Sequence, residues 1–295
     1  MTLPEAEPAG PQTPAPGPIT ELDNEFEPRL VVLDIDGTLI DDDLNLQPRT
    51  RAAVRAAAQR LPVILATGRM YRSALPWAGE LQVTQPLVCY QGALIRELPN
   101  GATAGRVIFE EGLDPTVAGR AVEIARAHDW HVQAYQDDEL LCEQDRPEAH
   151  LYARIAQIPI RYVDDLARIV TNGSTKIVCV CEDRQVVEEC VATMEADLGD
   201  RVRVTRSMAQ FVELVSPRVN KAQSIELLCH RLGLSLSAAL AVGDAPNDVE
   251  MIAAAGCGVA IWRARPEVLA VADATCAEPE RGGVADVLEH FGLAG

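Results

Sequence analysis

Positive charge is scarce in this sequence. Lys and Arg total 26 against 44 Asp and Glu, a formal net charge of −18 over 295 residues. A nucleic-acid surface needs clustered cations to neutralise phosphates, so that class of partner is excluded. A small anionic substrate is not, because one local cation and a metal ion reverse the sign inside a pocket. Long apolar runs are missing too. None approaches the length of a membrane-spanning helix, so no membrane partner is expected. The start lacks the basic and apolar regions of a secretory signal, and a cytoplasmic location is expected. No C-x-x-C pair occurs among the eight cysteines. Cys89, Cys179 and Cys257 sit among small apolar neighbours, as buried reduced thiols do, which disfavours zinc or redox chemistry. His128 and His131 lack a third ligand nearby and read as surface or packing residues.

What is present falls into three parts. Residues 1–28 read as a disordered tail. They hold seven prolines and six acidic residues, with no basic residue before Arg29, too little apolar surface to offset the entropy of ordering. From residue 29 the pattern alternates between short β-rich runs and helical stretches. "LVVLDID", "PVILATG" and "PLVCYQG" read as strands, "PRTRAAVRAAAQRL" as a helix, and "RSALPWAGELQ" as a poor helix interrupted by Pro76. The same grammar returns after residue 217 in "AALAVGD" and "GVAIW", with helices at "NKAQSIELLCHRLG", "NDVEMIAAAG", "RPEVLAVA" and "GGVADVLEHFG". Near-continuous apolar runs alternating with helices indicate a doubly wound parallel sheet covered on both faces. Between residues 94 and 216 the pattern turns to α+β, with a hairpin at Asp137-Asp138, strands at "TKIVCVCED", "RVRVTR" and "QFVELVS", and a helix at "RQVVEECVATMEADLG". The expected organisation is an α/β core over 29–93 and 217–295 carrying an α+β insertion over 94–216.

The densest charge follows the first strand, in "LVVLDIDGTLIDDDLN". A calcium loop of the EF-hand kind needs ligands at positions 1, 3 and 5, Gly at 6 and Glu at 12. Counted from Asp34, Gly37 falls at position 4; counted from Asp41, position 6 is Leu46 and position 12 is Ala52. That reading fails. Residues two apart on a strand share a face, so Asp34 and Asp36 are expected to project together where the strand ends. Two carboxylates roughly 6 to 7 Å apart repel by about 2 kcal/mol at an effective dielectric near 20, which calls for a cation or a shared proton. The carboxyl ends of such strands are also where open α/β sheets bind ligands. Asp41, Asp42 and Asp43 read as solvated loop charge.

"AVGDAPND" brings a second acidic set, Asp244, Asn247 and Asp248, to another strand end. Alone it reads equally well as a helix cap. With the first set it supplies hard oxygen ligands for Mg²⁺. "LATGRM" puts Thr67 at a third strand end, where Gly68 lets a ligand approach the backbone, although Thr-Gly-Arg alone is an ordinary turn. Lys221 opens a helix beside Asn220, an unfavourable place for a cation unless an anion is held there.

D-x-D-G-T at 34–38, T-G-R at 67–69, Lys221 and G-D-x-x-N-D at 243–248, in that order, resemble the haloacid dehalogenase superfamily. The likeness is to the Cof-type phosphatases (subfamily IIB, with a C2-type α/β cap) and runs from residue 30 onward. It implies a Rossmann-like core whose insertion caps the site. It also implies a Mg²⁺-dependent phosphomonoester hydrolase acting on a small phosphorylated metabolite such as a sugar phosphate, nucleotide or phosphorylated cofactor. By the same resemblance Asp34 is the nucleophile that forms an aspartyl-phosphate, and Asp36 the acid and base. Mg²⁺ is held by the Asp34 carboxylate, the Asp36 carbonyl and Asp244, with Asn247 and Asp248 in support. Thr67 and Lys221 hold phosphoryl oxygens, and Gly68, Arg69 and Gly92 lie on the substrate side. The chain departs from the family pattern at Gln91, where Asn is usual, and at Trp262-Arg263, where Gly-Asn is common. A phosphomutase-type transferase and a phospho-accepting signalling module are the alternatives; the module needs neither Asp36 nor a cap.

Overall fold

A computed structural model of the protein describes residue 22 and residues 25–295. The expected tail thus lies largely outside the described residues. Within its span, Leu22 is buried and Phe26 meets Phe291 edge to face, so its end packs on the folded body.

The first part of the chain runs β1 (Leu30–Leu33), α1 (Pro48–Ala58), β2 (Val63–Leu65), α2 (Tyr71–Leu81) and β3 (Leu87–Cys89). Pro48 suits the first turn of α1, where its missing N–H has no partner to lose. Thr50, Ala53, Val54 and Ala57 then bury one face at helical spacing. Next come β4 (Leu94–Arg96), β5 (Val107–Glu110), α3 (Pro115–Ala127), β6 (His131–Gln136), β7 (Glu139–Cys142) and α4 (Pro147–Ala156). They are followed by β8 (Ile160–Tyr162), α5 (Leu166–Val170), β9 (Lys176–Val180), α6 (Arg184–Leu198), β10 (Arg203–Thr205) and β11 (Phe211–Val215). The last part comprises α7 (Lys221–Leu232), β12 (Ala239–Gly243), α8 (Val249–Ala254), β13 (Cys257–Ile261), α9 (Pro266–Leu269), β14 (Ala274–Cys276) and α10 (Gly283–His290).

Five strands form an all-parallel sheet in the order β14-β13-β12-β1-β2. Strand alternation sends its side chains to two apolar layers. Val31, Leu33, Leu65 and Val242 pack with residues of α1 and α10, while Leu30, Val32, Ile64 and Ala241 pack with α7 and α8. The strands therefore end at one edge, with helices on both sides. "PLVCYQG" differs from expectation. β3 pairs antiparallel with β4 in a separate three-stranded sheet and meets the parallel sheet through a single bridge, Ala66 to Val88.

The second body is a six-stranded sheet ordered β10-β11-β9-β6-β7-β8, antiparallel except where β8 joins β7. The hairpin between β6 and β7 turns at Asp137 and Asp138, both at positive φ, as a two-residue connection requires. Helices α4 and α5 and the short strands β4, β5, β8 and β14 are absent from the sequence reading. The stretch "RPEVLAVA" is only partly helical, because the chain turns after Leu269 toward β14. All eight cysteines are buried, and no helix among the described residues is long and apolar enough to cross a membrane.

Candidate active site

The edge where β1 and β12 end collects the acidic residues. Asp34 follows β1 directly and is almost fully buried. Ligand oxygens of Asp34, Asp244 and Asp248 all lie within 4.8 Å of one another. Lys221 Nζ reaches between two of them, 2.5 Å from Asp34 Oδ1 and 2.6 Å from Asp248 Oδ1. Asn220 caps α7 by accepting from the Gln223 N–H, which fixes the start of the helix that carries Lys221. Asp248 Oδ2 accepts from the backbone N–H groups of Asp244 and Ala245, closing the G-D-x-x-N-D turn on itself. Thr38 Oγ1 donates to Asp244 Oδ1 at 2.9 Å, tying the first motif to the second.

The electrostatics follow from this crowding. Burial pushes the Asp34 carboxyl up to about 8, and Asp248 and Asp36 add to the rise against the opposing pull of Lys221. Burial likewise raises Asp244 well above the ordinary carboxylate range, with Asp34 and Asp248 adding to it. Burial alone would lower the Lys221 ammonium, but Asp248 and Asp34 more than reverse it. The site thus holds three carboxylates and one cation, an imbalance that a divalent ion corrects. The donors are all hard oxygens, and the buried Asn247 Oδ1 has no hydrogen-bond partner, so the residues fit Mg²⁺.

Asp36 takes different partners from Asp34. The strand ends at Leu33, so the two-residue alternation no longer applies, and Gly37 at φ +79 turns the chain. Asp36 instead accepts two hydrogen bonds from Arg69, Nε to Oδ2 at 2.7 Å and Nη2 to Oδ1 at 2.5 Å. Arg69 also donates to the Ile155 carbonyl of the second body, and Thr67 Oγ1 accepts from the Arg69 N–H. Gly68 lies against Gln91 and leaves no room for a side chain. Gly92 lies apart from this cleft, with its carbonyl accepting from Ser224 Oγ on α7 and its Cα facing the Asn220 backbone. The structure therefore brings together Asp34, Lys221, Asp244 and Asp248, sets Asp36 with Arg69 and Thr67 beside them, and leaves Gly92 in a packing position. Asp41 accepts from the N–H groups of Asp43 and Asn45 and, with Asp42, lines the cavity described next.

A cavity of about 760 Å³ opens between the two bodies, lined in part by Asp36 and Asp244. Leu151, Arg154, Arg206 and Met208 face it from the second body, and Arg263 and Arg265 from the first. Arg263 is held by Glu278 at 3.0 Å, which accounts for one of the two departures at positions 262 and 263. Thr38, Lys176 and Glu213 are absent from the sequence reading of the site. Thr38 stands inside the D-x-D-G-T motif. A signal for Lys176 was available in composition, because it and Lys221 are the only two lysines in the chain.

Among known proteins, the chain is 29% identical over 247 residues to an HMP-PP phosphatase of Enterobacter sp. (strain 638), covering 82% of this chain and 87% of the relative. It is 28% identical over 279 residues to the 5-amino-6-(5-phospho-D-ribitylamino)uracil phosphatase YitU of Bacillus subtilis (strain 168), covering 91% and 100%. Among solved structures it resembles a haloacid dehalogenase-like hydrolase from Bacteroides thetaiotaomicron, with a TM-score of 0.79, 27% identity and coverage of 90% and 100%. It also resembles TM0651 from Thermotoga maritima, with a TM-score of 0.75, 29% identity and coverage of 88% and 96%. The model of the haloacid dehalogenase-like hydrolases matches residues 31–288, nearly the whole described chain, and the protein belongs to that family.

Proposed function

We propose that the protein is a Mg²⁺-dependent phosphomonoester hydrolase that works through a phosphorylated Asp34. The observation that carries this reading is the buried ion pair of Asp34 with Lys221, set against Asp248 and Asp244, the last of which lines the inter-body cavity. A carboxylate so placed meets a phosphoryl group entering from the cavity, with a fixed cation beside the oxygens that gather charge.

In the first half-reaction an Asp34 oxygen attacks phosphorus, the bond from phosphorus to the ester oxygen breaks, and Asp36 gives its proton to the departing alkoxide. In the second, Asp36 takes a proton from water as that water attacks the aspartyl-phosphate. This releases inorganic phosphate and restores Asp34. Asp34, Asp244 and the Asp36 carbonyl, supported by Asn247 and Asp248, would hold Mg²⁺, which when bound neutralises the phosphoryl oxygens. Thr67 and Lys221 hold the same oxygens from the protein side. The second body serves as a cap that excludes water and selects the leaving group through the residues lining the cavity. Relatives named for phosphatase activity on HMP-PP and on 5-amino-6-(5-phospho-D-ribitylamino)uracil support a small phosphorylated metabolite as substrate.

The test is hydrolysis of p-nitrophenyl phosphate with Mg²⁺. Wild type releases phosphate, Asp34→Asn does not, and substantial turnover by the variant overturns the assignment. Free phosphate rather than an isomerised ester from a sugar phosphate separates hydrolysis from mutase chemistry.

A further inference from the structure

Neither lysine of the chain reaches solvent. Lys221 belongs to the site above. Lys176 stands on β9 of the second body and has no part in the chemistry, yet its ammonium crosses to the first body. Nζ donates to the Gly68 carbonyl at 2.8 Å, in the Thr67-Gly68-Arg69 loop, and lies 3.2 Å from Glu213 Oε1 on the adjacent strand β11. Tyr90 and Tyr135 flank it, with ring centroids 5.8 and 5.1 Å away. Burial works against this ammonium, but Glu213 and Tyr152 more than offset it and hold it charged.

The second oxygen of Glu213 accepts from Gln91 Nε2, back in the first body, and Ser207 Oγ on the cavity wall donates to Oε1 at 2.8 Å. Gln91 Oε1 in turn accepts from Asn247 Nδ2. The result is an unbroken buried path from Lys176 and Glu213 of one body, through Gln91, to Asn247 in the loop that carries Asp244 and Asp248. Asn247 Oδ1, at the far end, is buried and without a partner. Gln91 makes these contacts from a left-handed backbone at φ +62, next to Tyr90 at φ +52, a conformation that non-glycine residues keep only when their surroundings enforce it.

We propose that Gln91 is a positioning residue, which transmits the seating of the second body through Glu213 and Lys176 to Asn247, so that the phosphoryl site is set in order when that body is closed upon it. The longer side chain at this departure from the family's Asn lets one residue bridge Glu213 and Asn247. The inference rests on the phosphohydrolase reading and assigns a coupling within it.

Gln91→Met keeps length and volume and leaves the ion pair intact while removing both amide hydrogen bonds. Lys176→Met with Glu213→Met removes the pair without stranding a buried charge. Two readouts are taken on full-length protein, namely kcat and KM for p-nitrophenyl phosphate, and the Mg²⁺ concentration that half-maximally raises Tm in the absence of substrate. Each variant is expected to lower kcat by about tenfold with KM changed little, and to shift the Mg²⁺ midpoint upward. The combined triple variant is expected to be no worse than either alone, because both break one path. Additive effects, or an unchanged Mg²⁺ midpoint in Gln91→Met, overturn the coupling. Wild-type protein that hydrolyses nothing overturns the phosphatase reading instead, and the substrate-free Mg²⁺ midpoints still decide the coupling.

Discussion

Lys221 and Asp34 form a buried ion pair across 2.5 Å, and Asp248 touches the same ammonium from the other side. One cation therefore keeps two buried carboxylates from facing each other unscreened. Lys221→Met removes it. Activity toward p-nitrophenyl phosphate is expected to fall by about 10²–10³ in kcat, the usual loss when a preorganised partner of developing charge is deleted. Metal-free stability at pH 8 is expected to fall by about 3–5 kcal/mol, because breaking a buried pair leaves uncompensated charge. The deficit shrinks at pH 5.5, where the raised Asp34 carboxyl takes up a proton. Urea unfolding at the two pH values measures this, and an unchanged kcat would remove Lys221 from the reaction.

The raised Asp34 makes a linkage prediction whose sign is fixed. Burial lifts this carboxyl from an ordinary 3.8 to about 8, and Asp244 moves the same way. Between those values the folded, metal-free protein binds protons that the unfolded chain has released. Its stability therefore declines as pH rises through that window and levels off above it. Mg²⁺ competes with the same protons, so its binding releases them. The contribution of this site lowers the Tm of EDTA-treated protein from pH 6 to pH 8, and saturating Mg²⁺ raises Tm more at pH 8 than at pH 6. Calorimetry in buffers of different ionisation enthalpy is expected to return about one proton or more per Mg²⁺ near pH 6.5. Equal Mg²⁺ stabilisation at both pH values would contradict the assignment.

The parallel sheet was legible because its strands are buried on both faces, so Leu30–Leu33 and Ala239–Gly243 read as unbroken apolar runs. β14 was not, since its three residues sit at the sheet edge with a Thr at the centre. The acidic set was legible from strand ends, but the separate partners of Asp34 and Asp36, Lys221 and Arg69, were not. Alternation holds only while the chain stays extended, and here it leaves the strand after Leu33. Lys176, Glu213 and Gln91 stand far apart in sequence, and only the packing of the two bodies makes them one network.

Asp36 and Arg69 form the second charged pair of the site, with two hydrogen bonds in parallel. As leaving-group acid, Asp36 matters most when the departing alkoxide is basic. Asp36→Asn is therefore expected to cost about 10²–10⁴ in kcat on an alkyl phosphate. It should cost less in the first half-reaction of p-nitrophenyl phosphate, whose phenolate leaves without a proton. Single-turnover measurements of p-nitrophenol release and phosphate release separate the two steps. Equal losses on both substrates in the first step would deny Asp36 the role of acid.

Gly37 offers a test of how tightly the two acidic loops are built together. Its φ is +79, and a Cβ there would overlap the Asp244 carboxylate, which Thr38 also holds. Gly37→Ala combines a backbone penalty with displacement of Asp244. The backbone part can be measured separately at Gly101, whose φ is +59 and where a Cβ meets nothing within 4 Å. Gly101→Ala is expected to cost about 1 kcal/mol of stability, with activity unchanged. Gly37→Ala is expected to cost about 1–3 kcal/mol and to lower kcat/KM by tenfold or more, with a weakened Mg²⁺ response in Tm. If both substitutions behave alike in activity and Mg²⁺ response, the contact between Gly37 and Asp244 has no bearing on the metal end of the site.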